Sequence, residues 1–557
     1  MFKGHPKGLF VLFFSNMGER FGYYTILAIL MLYIQANYGL SAEEAGVIYS
    51  VYLFGIYFIP LLGGILADKM GYGKVVTLGI ILMFLGYGLL AIPGTTLPIV
   101  VTFLMIVAVG TGFFKGNLVV LLGNLYEDER YKSVHSAAFS IFYMGINIGA
   151  FYAPHAATGI RNWILGLSDF TYDKAIPGLA HKYLDGTLEN TGALVQAAKE
   201  QLGNIAMTPE VLTNFCNDYI TAIGQAYNGA FAIASASVII SLIIFKVFQK
   251  HYKFADKTQK QKIASGEKDS LTPEQTRSRL IALGLVFLVV IFFWLAFHQN
   301  GYTFTFFARD YTVSEVSRGG YAFFDLLFIH GLAGFIMGLI FLFNKKNSNA
   351  LRIGGAIITV IGGALAYFRY VGFPETGNEI SPELFQHFNP FFIVFLTPVI
   401  VAFFAWLNKR NKEPNAPAKI GIGMALTGGA YLILVFASLG LPAPFELNGG
   451  VSPDQVSPYP LIGLYFSITI AELFLSPMGL AFVAKVSPPK YKGMMQGGWL
   501  AATAVGNLLS GYPAGFLWER LELWQTFLVL GGLAFMASFI IAAVYKRLKK
   551  ATEDSGA

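Results

Sequence analysis

A few ionisable side chains stand inside long apolar runs, where ordinary water is out of reach. Glu19 and Arg20 interrupt the run 9–36, Lys115 lies in 97–122, His298 closes 278–300, and Glu472 sits in the middle of 459–483. A charge near the centre of a bilayer costs about 2.5–3.5 kcal/mol on insertion scales, so each of these needs a partner or a water-filled cavity. Helical spacing stacks Arg20 with Asn16 and Tyr24, and Glu19 with Tyr23, as one polar stripe. Two cations, Arg20 and Lys115, come from the first half of the chain and one acid, Glu472, from the second. A cleft charged in this way suits a zwitterion whose amine and carboxylate are well separated. His298 adds an imidazole, the side chain whose charge ordinarily changes near neutral pH. Tyr23, Tyr24, Tyr33, Tyr57, Trp294 and Trp499 offer amphipathic walls that tolerate varied substituents.

Each residue also has a plainer reading. Glu19 and Arg20 could form a structural ion pair between helices, and Lys115 could snorkel to the near interface. Glu472 could cap the backbone freed by Pro477, and His298 could be a packing residue. With 15% aromatic residues, many rings must simply pack or sit in an interfacial belt.

The elements that carry these residues are helices. Of 557 residues 55% are hydrophobic and 13% charged, with mean hydropathy +0.57, which excludes a soluble globular protein. Backbone groups in hydrocarbon must pair within their own segment, and the runs are too long and too weakly alternating for barrel strands. The net charge of +7 comes from Lys and Arg clustered between apolar runs, so it reads as membrane orientation and not as nucleic-acid binding. Cys216 is the only cysteine, which rules out an intramolecular disulfide and a cysteine-rich metal site. The first run follows Lys3 and Lys7 as a signal peptide would, but it is long and carries Glu19 and Arg20, so a retained helix is expected.

Spans are expected at 9–36, 43–67, 75–93, 97–122, 134–156, 222–248, 278–300, 322–344, 352–371, 387–407, 419–441, 459–483, 493–516 and 524–545, about fourteen in all. With the N-terminus in the cytoplasm, alternate connections carry the Lys and Arg clusters, including Lys69 and Lys74, Lys409 to Lys412, and Lys546 to Lys550, as the positive-inside rule requires. Both termini are then cytoplasmic. Residues 1–248 form a six-helix bundle carrying a polar, non-cytoplasmic insert at 157–221, with helical patterning in Leu194–Leu202 and Val211–Ile220. Residues 249–277 read as a cytoplasmic linker. A second six-helix bundle spans 278–545 with an added transmembrane hairpin at 322–371, and 546–557 is a cytoplasmic tail. Six helices before the linker and six after it, with the hairpin set aside, make an all-α transporter of two related bundles.

Several motifs resemble those of the proton-coupled oligopeptide transporter family of the major facilitator superfamily. Asn16-Met-Gly-Glu-Arg-Phe-Gly-Tyr-Tyr24 is similar to its signature E-x-x-E-R-F-x-Y-Y in all but the first position. Gly64-Ile-Leu-Ala-Asp-Lys69 with Gly73-Lys74 resembles the general facilitator loop. Phe139-Ser-Ile-Phe-Tyr-Met-Gly-Ile-Asn-Ile-Gly149 matches F-Y-x-x-I-N-x-G, and Gly112-Phe-Phe-Lys115, Phe293-Trp294, Gln386-His-Phe-Asn-Pro390 and Glu472 with Ser476-Pro-Met-Gly479 follow in the family's order. The resemblance implies proton-coupled symport of di- and tripeptides by alternating access across the cell inner membrane. It implies that Arg20 and Lys115 hold the peptide carboxylate, Glu472 its amine, and Asn147 and Asn389 its backbone; Tyr23, Tyr24, Tyr57, Trp294 and Trp499 are the aromatic candidates for the walls of that site. Glu19, Glu472 and His298 are the candidates for proton coupling. No cofactor and no metal is expected; the partners are peptide, protons and lipid, and the oligomeric state is left open.

The departures are specific. Asn16 replaces the signature's first Glu, Ser50 stands where animal members carry a histidine, and His298 stands where an acid is usual. Leu27 replaces an Arg that in relatives can pair with that acid across the outer gate. Losing one partner alone would strand a buried charge, so the joint loss points to a different outer gate. A proton-linked drug or metabolite antiporter, which does not need both a carboxylate clamp and an amine acceptor, and a transport-inactive peptide sensor are the alternatives. An enzyme is not expected, since no H-E-x-x-H, G-x-S-x-G or metal-ligand cluster occurs among the mid-span residues.

Overall fold

The computed structural model describes residues 4–127, 129–132, 134–203, 205–256, 272–488 and 491–553. Its long helices are α1 (Lys7–Tyr38), α2 (Ala42–Met70), α3 (Tyr72–Leu90), α4 (Leu97–Leu125), α5 (His135–Gly166), α6 (Pro209–Val247) and α7 (Pro273–Phe297). They continue as α8 (Leu326–Phe343), α9 (Asn349–Gly372), α10 (Phe388–Asn408), α11 (Ala416–Ala437), α12 (Tyr459–Val486), α13 (Lys492–Arg520) and α14 (Leu523–Glu553). Among the described residues twelve segments are long and apolar enough to cross a membrane. The other two, α1 and α13, are as long but more polar. Glu19 and Arg20 dilute α1, and Gln496, Asn507 and a series of glycines dilute α13.

Local chemistry sets the helix ends. Gly39, at φ 66°, stops α1 in the left-handed region that side chains disfavour, and Ser41 with Glu44 forms a reciprocal capping box that restarts the chain as α2. Thr208 caps α6 with Pro209 in its first turn, and Thr272, Pro273 and Gln275 open α7 in the same manner.

Three expectations change. The insert is shorter than 157–221, because α5 runs on to Gly166 and α6 already begins at Pro209; helices Ile176–Leu184 and Gly192–Leu202 occupy what remains. The pattern in 211–220 is the buried face of α6, where Leu212, Phe215, Cys216 and Tyr219 pack, and not a separate cap helix. The tail is helical to Glu553, since Leu548 and Ala551 are buried and hold α14 against the bundle. Of the expected linker, 257–271 lies outside the described residues.

Helices α1 and α6 pack together, with α5 beside both and α3 bridging α4 and α6; α2 lies on α4. In the second half α11 packs on α12 and α14, α7 on α13 and α14, and α10 on α12. The two groups meet along α2 with α13 and α5 with α10. Gly46 and Gly511 face one another at the first seam, where a Cβ on Gly46 would stand 2.8 Å from the Gly511 carbonyl oxygen. Hydrogen bonds between the groups gather at the end that carries the insert. There Arg309 donates to Gln35 at 2.7 Å, Arg520 pairs with Glu43 at 2.7 Å, and Lys182 donates to Asn448 at 2.9 Å.

The hairpin α8–α9 follows α7 as expected. Its helices touch through glycines: a Cβ on Gly331 would meet the Gly362 carbonyl oxygen at 2.9 Å, and one on Gly338 the Gly355 oxygen at 2.7 Å. Its base is tied by a two-residue antiparallel pairing of Glu315–Val316 with Asn378–Glu379, and by the Arg369–Asp325 ion pair at 2.6 Å. Beyond these contacts most of the hairpin's side chains face outward.

Candidate substrate-binding site

Close helix crossings bring the site together. At the α2–α4 crossing a Cβ on Gly112 would stand 2.6 Å from Ile59, and one on Gly63 would stand 2.9 Å from the Gly112 carbonyl oxygen, so no side chain larger than hydrogen fits either position. The crossing sets Lys115 of α4 beside Tyr57 of α2, with the ammonium nitrogen 3.7 Å from the ring centroid. Lys115 therefore turns inward and does not snorkel. It lies within electrostatic reach of both Arg20 and Glu19. Gly149 likewise permits the close α1–α5 crossing, since its Cβ would stand 2.6 Å from the Met17 carbonyl oxygen and 2.9 Å from the Phe21 nitrogen. Gly149→Ala is expected to force these helices apart at an overpacking cost of about 1–3 kcal/mol, read as a lower melting temperature of the purified protein. Gly123→Ala, in open space on α4, serves as the unchanged control.

Glu19 and Arg20 are both buried, and they pair with each other and not between helices: Arg20 Nε donates to Glu19 Oε2 at 2.5 Å and Nη2 to Oε1 at 2.7 Å. The guanidinium carbon lies 4.8 Å from the centroid of the Tyr23 ring, and Tyr23 meets Tyr24 edge-on at 4.9 Å. A carboxylate arriving here competes with Glu19 for the same fork of donors.

On the second helix group Glu472 does not cap its own helix. Its Oε2 accepts from Asn389 Nδ2 at 2.9 Å, and the same amide donates to Thr469 Oγ1 at 3.1 Å, while the Thr469 hydroxyl donates to the Tyr465 carbonyl at 2.7 Å. The two Asn389 N–H groups are thus spent, one on Glu472 and one on Thr469, leaving the Asn389 carbonyl oxygen for a ligand. Thr469 is a site residue that the sequence reading does not single out, although its place one turn before Glu472 on the same helix face could have marked it. Tyr57 and Tyr24 each lie within electrostatic reach of both Arg20 and Glu472.

His298 stands where α7 breaks: the helix ends at Phe297, a tight turn covers His298–Gly301, and a short helix Thr303–Asp310 follows. Its ring stacks on Trp294 at 5.2 Å and meets Tyr57 edge-on at 6.1 Å. Both ring nitrogens and Trp294 Nε1 are buried without a partner among the described residues. Lys115 acts on His298 electrostatically. His298 therefore belongs to the central cluster and not to a distant outer end.

The remaining candidates are less engaged. Asn147 donates to the Tyr143 carbonyl of its own helix at 3.1 Å. Trp499 is buried over Gly479 and packs α13 on α12. Tyr33 is not in the site; it packs edge-on against Phe231 at 4.9 Å and bonds Tyr38. Asn16 is buried with Nδ2 unpartnered among the described residues, Ser50 donates to the Val47 carbonyl, and Leu27 is core. A cavity of about 420 Å³ opens at the insert end between Gln35, Glu44, Lys174, Lys182, Arg309 and Glu519, and none of the candidate residues lines it.

A helical membrane protein of two packed helix groups has the architecture of a transporter. The chain matches the POT family over residues 73–272 and 374–530, and it belongs to that family. Dipeptide and tripeptide permease A of Escherichia coli (strain K12) is 26% identical over 578 residues, covering 99% of this chain and 94% of that protein. Peptide transporter YePEPT of Yersinia enterocolitica is 27% identical over 542 residues, covering 92% and 88%. Among solved structures, a peptide transporter POT mutant in complex with alafosfalin superposes with a TM-score of 0.65 at 22% identity, over 99% of this chain and 96% of that one. A POT family transporter in complex with 5-aminolevulinic acid gives 0.66 at 21% identity, over 98% of each chain.

Proposed function

We propose that this protein carries di- and tripeptides across the cell inner membrane together with protons, by alternating access between its two helix groups. What supports the reading is a pair of charge clusters: Arg20 and Lys115 on the first helix group, Glu472 held by Asn389 on the second, and Tyr57 within electrostatic reach of Arg20 and Glu472. Arg20 and Lys115 take the peptide carboxylate; Glu472 and the free Asn389 oxygen take the ammonium. Charge-assisted contacts at the two ends fix length and polarity, while aromatic walls leave side chains unread. Asn147 and Trp499 enter as backbone donor and wall when the groups close on substrate. In this reading the insert end faces away from the cytoplasm, and both termini lie in it.

Proton coupling runs through Glu19, with His298 and Glu472 as further titratable groups. A peptide carboxylate that captures Arg20 leaves Glu19 without its cation and ready to take a proton. Permeases and peptide transporters among the relatives support the substrate class. Purified protein that binds dialanine and takes it up into proteoliposomes, with uptake suppressed by unlabelled tripeptides, is the expected result. Binding without uptake would identify a sensor, and uptake indifferent to peptides an antiporter of other solutes.

A further inference from the structure

We propose that Arg161 and Glu383 form the gate that seals the insert end of the pathway, in place of the α1–α7 pair that Leu27 and His298 cannot make. The inference rests on the alternating-access reading above. Arg161 lies on α5 of the first helix group, and Glu383 in the turn Pro382–His387 that leads into α10 of the second. The two are ion-paired across the seam with both side chains 0% exposed.

The surroundings make this a built contact. Glu383 Oε1 also accepts from Thr158 Oγ1 at 2.8 Å, and Arg161 Nη2 donates to Ser381 Oγ at 3.0 Å and to Asn162 Oδ1 at 2.8 Å. The guanidinium lies 3.5 Å from the ring centroid of Tyr172, a residue of the insert, so α5, the α10 approach and the insert converge on one cation. Along the same seam the His155 and His387 rings lie 4.9 Å apart, and Phe151 stacks on Phe391 at 6.1 Å.

Opening this end requires the groups to part and the pair to separate, which lets water reach both charges. In the closed state neither charge has any such outlet. Neutralising one partner alone therefore strands the other only in the closed state and shifts the population toward the open one; replacing both with apolar side chains removes the conflict. Glu383 Oε2 is buried without a partner among the described residues, so the closed contact is already incompletely satisfied and is poised to release.

The test measures distance between spin labels on the full-length protein in lipid nanodiscs, at Leu167→Cys and Leu439→Cys, exposed positions on the two groups at the insert end, in a Cys216→Ser background. Glu383→Gln is expected to raise the long-distance population roughly threefold or more, and Arg161→Met/Glu383→Met to keep the wild-type distribution. Thr158→Val, which keeps both charges, should shift the distribution in the same direction as Glu383→Gln but less, and it stands in if Glu383→Gln does not fold. The proposal is overturned if the single variants leave the distribution unchanged, or if the double variant opens as far as Glu383→Gln. No substrate is present in this measurement, so a failed gate and a failed peptide assignment give separate results.

Discussion

Glu472→Gln is expected to weaken binding of dipeptides with a free amine by roughly 30-fold or more, while N-acetylated analogues change little. The amide keeps the shape of the carboxylate and can still accept from Asn389, whose two N–H groups reach Glu472 and Thr469 at 2.9 and 3.1 Å. What is lost is the charge that balances the peptide ammonium. Truncating one member of a buried, hydrogen-bonded charge pair costs about 2–5 kcal/mol, and every 1.4 kcal/mol or so is a factor of about ten in affinity. An acetylated peptide has no ammonium to lose. Competition binding with both ligand types on the purified variant is the check, and equal losses for the two would remove Glu472 from the amine site.

Glu19→Gln should abolish uphill accumulation, bringing the ratio of internal to external peptide to about one, as for a carrier with no coupled ion. Counterflow should persist. Glu19 shares the Arg20 fork through contacts of 2.5 and 2.7 Å, and both side chains are shielded from water. With the carboxylate gone, Arg20 has no internal competitor, so the peptide carboxylate binds at least as well as before. What disappears is the group whose protonation the peptide provokes. His298→Gln should shift the pH dependence of uptake and leave coupling in place, because the imidazole sits in the same cluster but makes no ion pair. Accumulation and counterflow in the same proteoliposomes, across external pH from about 5.5 to 8, separate these outcomes. Intact uphill accumulation in Glu19→Gln would move the proton site to Glu472 or His298.

The sequence carried the helical architecture because apolar runs of bilayer length leave the backbone no other way to pair. It also carried the site's charges, because Glu19, Arg20, Lys115 and Glu472 are too costly in such runs to be incidental. Pairings were less legible. Adjacent positions on a helix usually point apart, so nothing in the spacing showed that Arg20 would fold back onto Glu19. Lys115 could snorkel by sequence, and only the glycine-lined crossing of α2 and α4 turns it onto Tyr57. The loss of the usual outer pair at Leu27 and His298 was visible, but its replacement was not. Arg161 and Glu383 are 222 residues apart, and their contact depends on how α5 meets the approach to α10. The insert's true limits were hidden for a simpler reason: Thr208 and Pro209 start α6 in polar sequence that no hydropathy window assigns to a span.

Proton movement driven by peptide tests symport at its root. Purified protein is reconstituted into liposomes holding a pH-sensitive dye, with no initial pH gradient and an inside-negative potential, and dialanine is added outside. The expected result is lumenal acidification that depends on dialanine, saturates with its concentration, and is lost in Glu19→Gln. Peptide uptake without acidification, or acidification indifferent to dialanine, would contradict proton-coupled peptide transport.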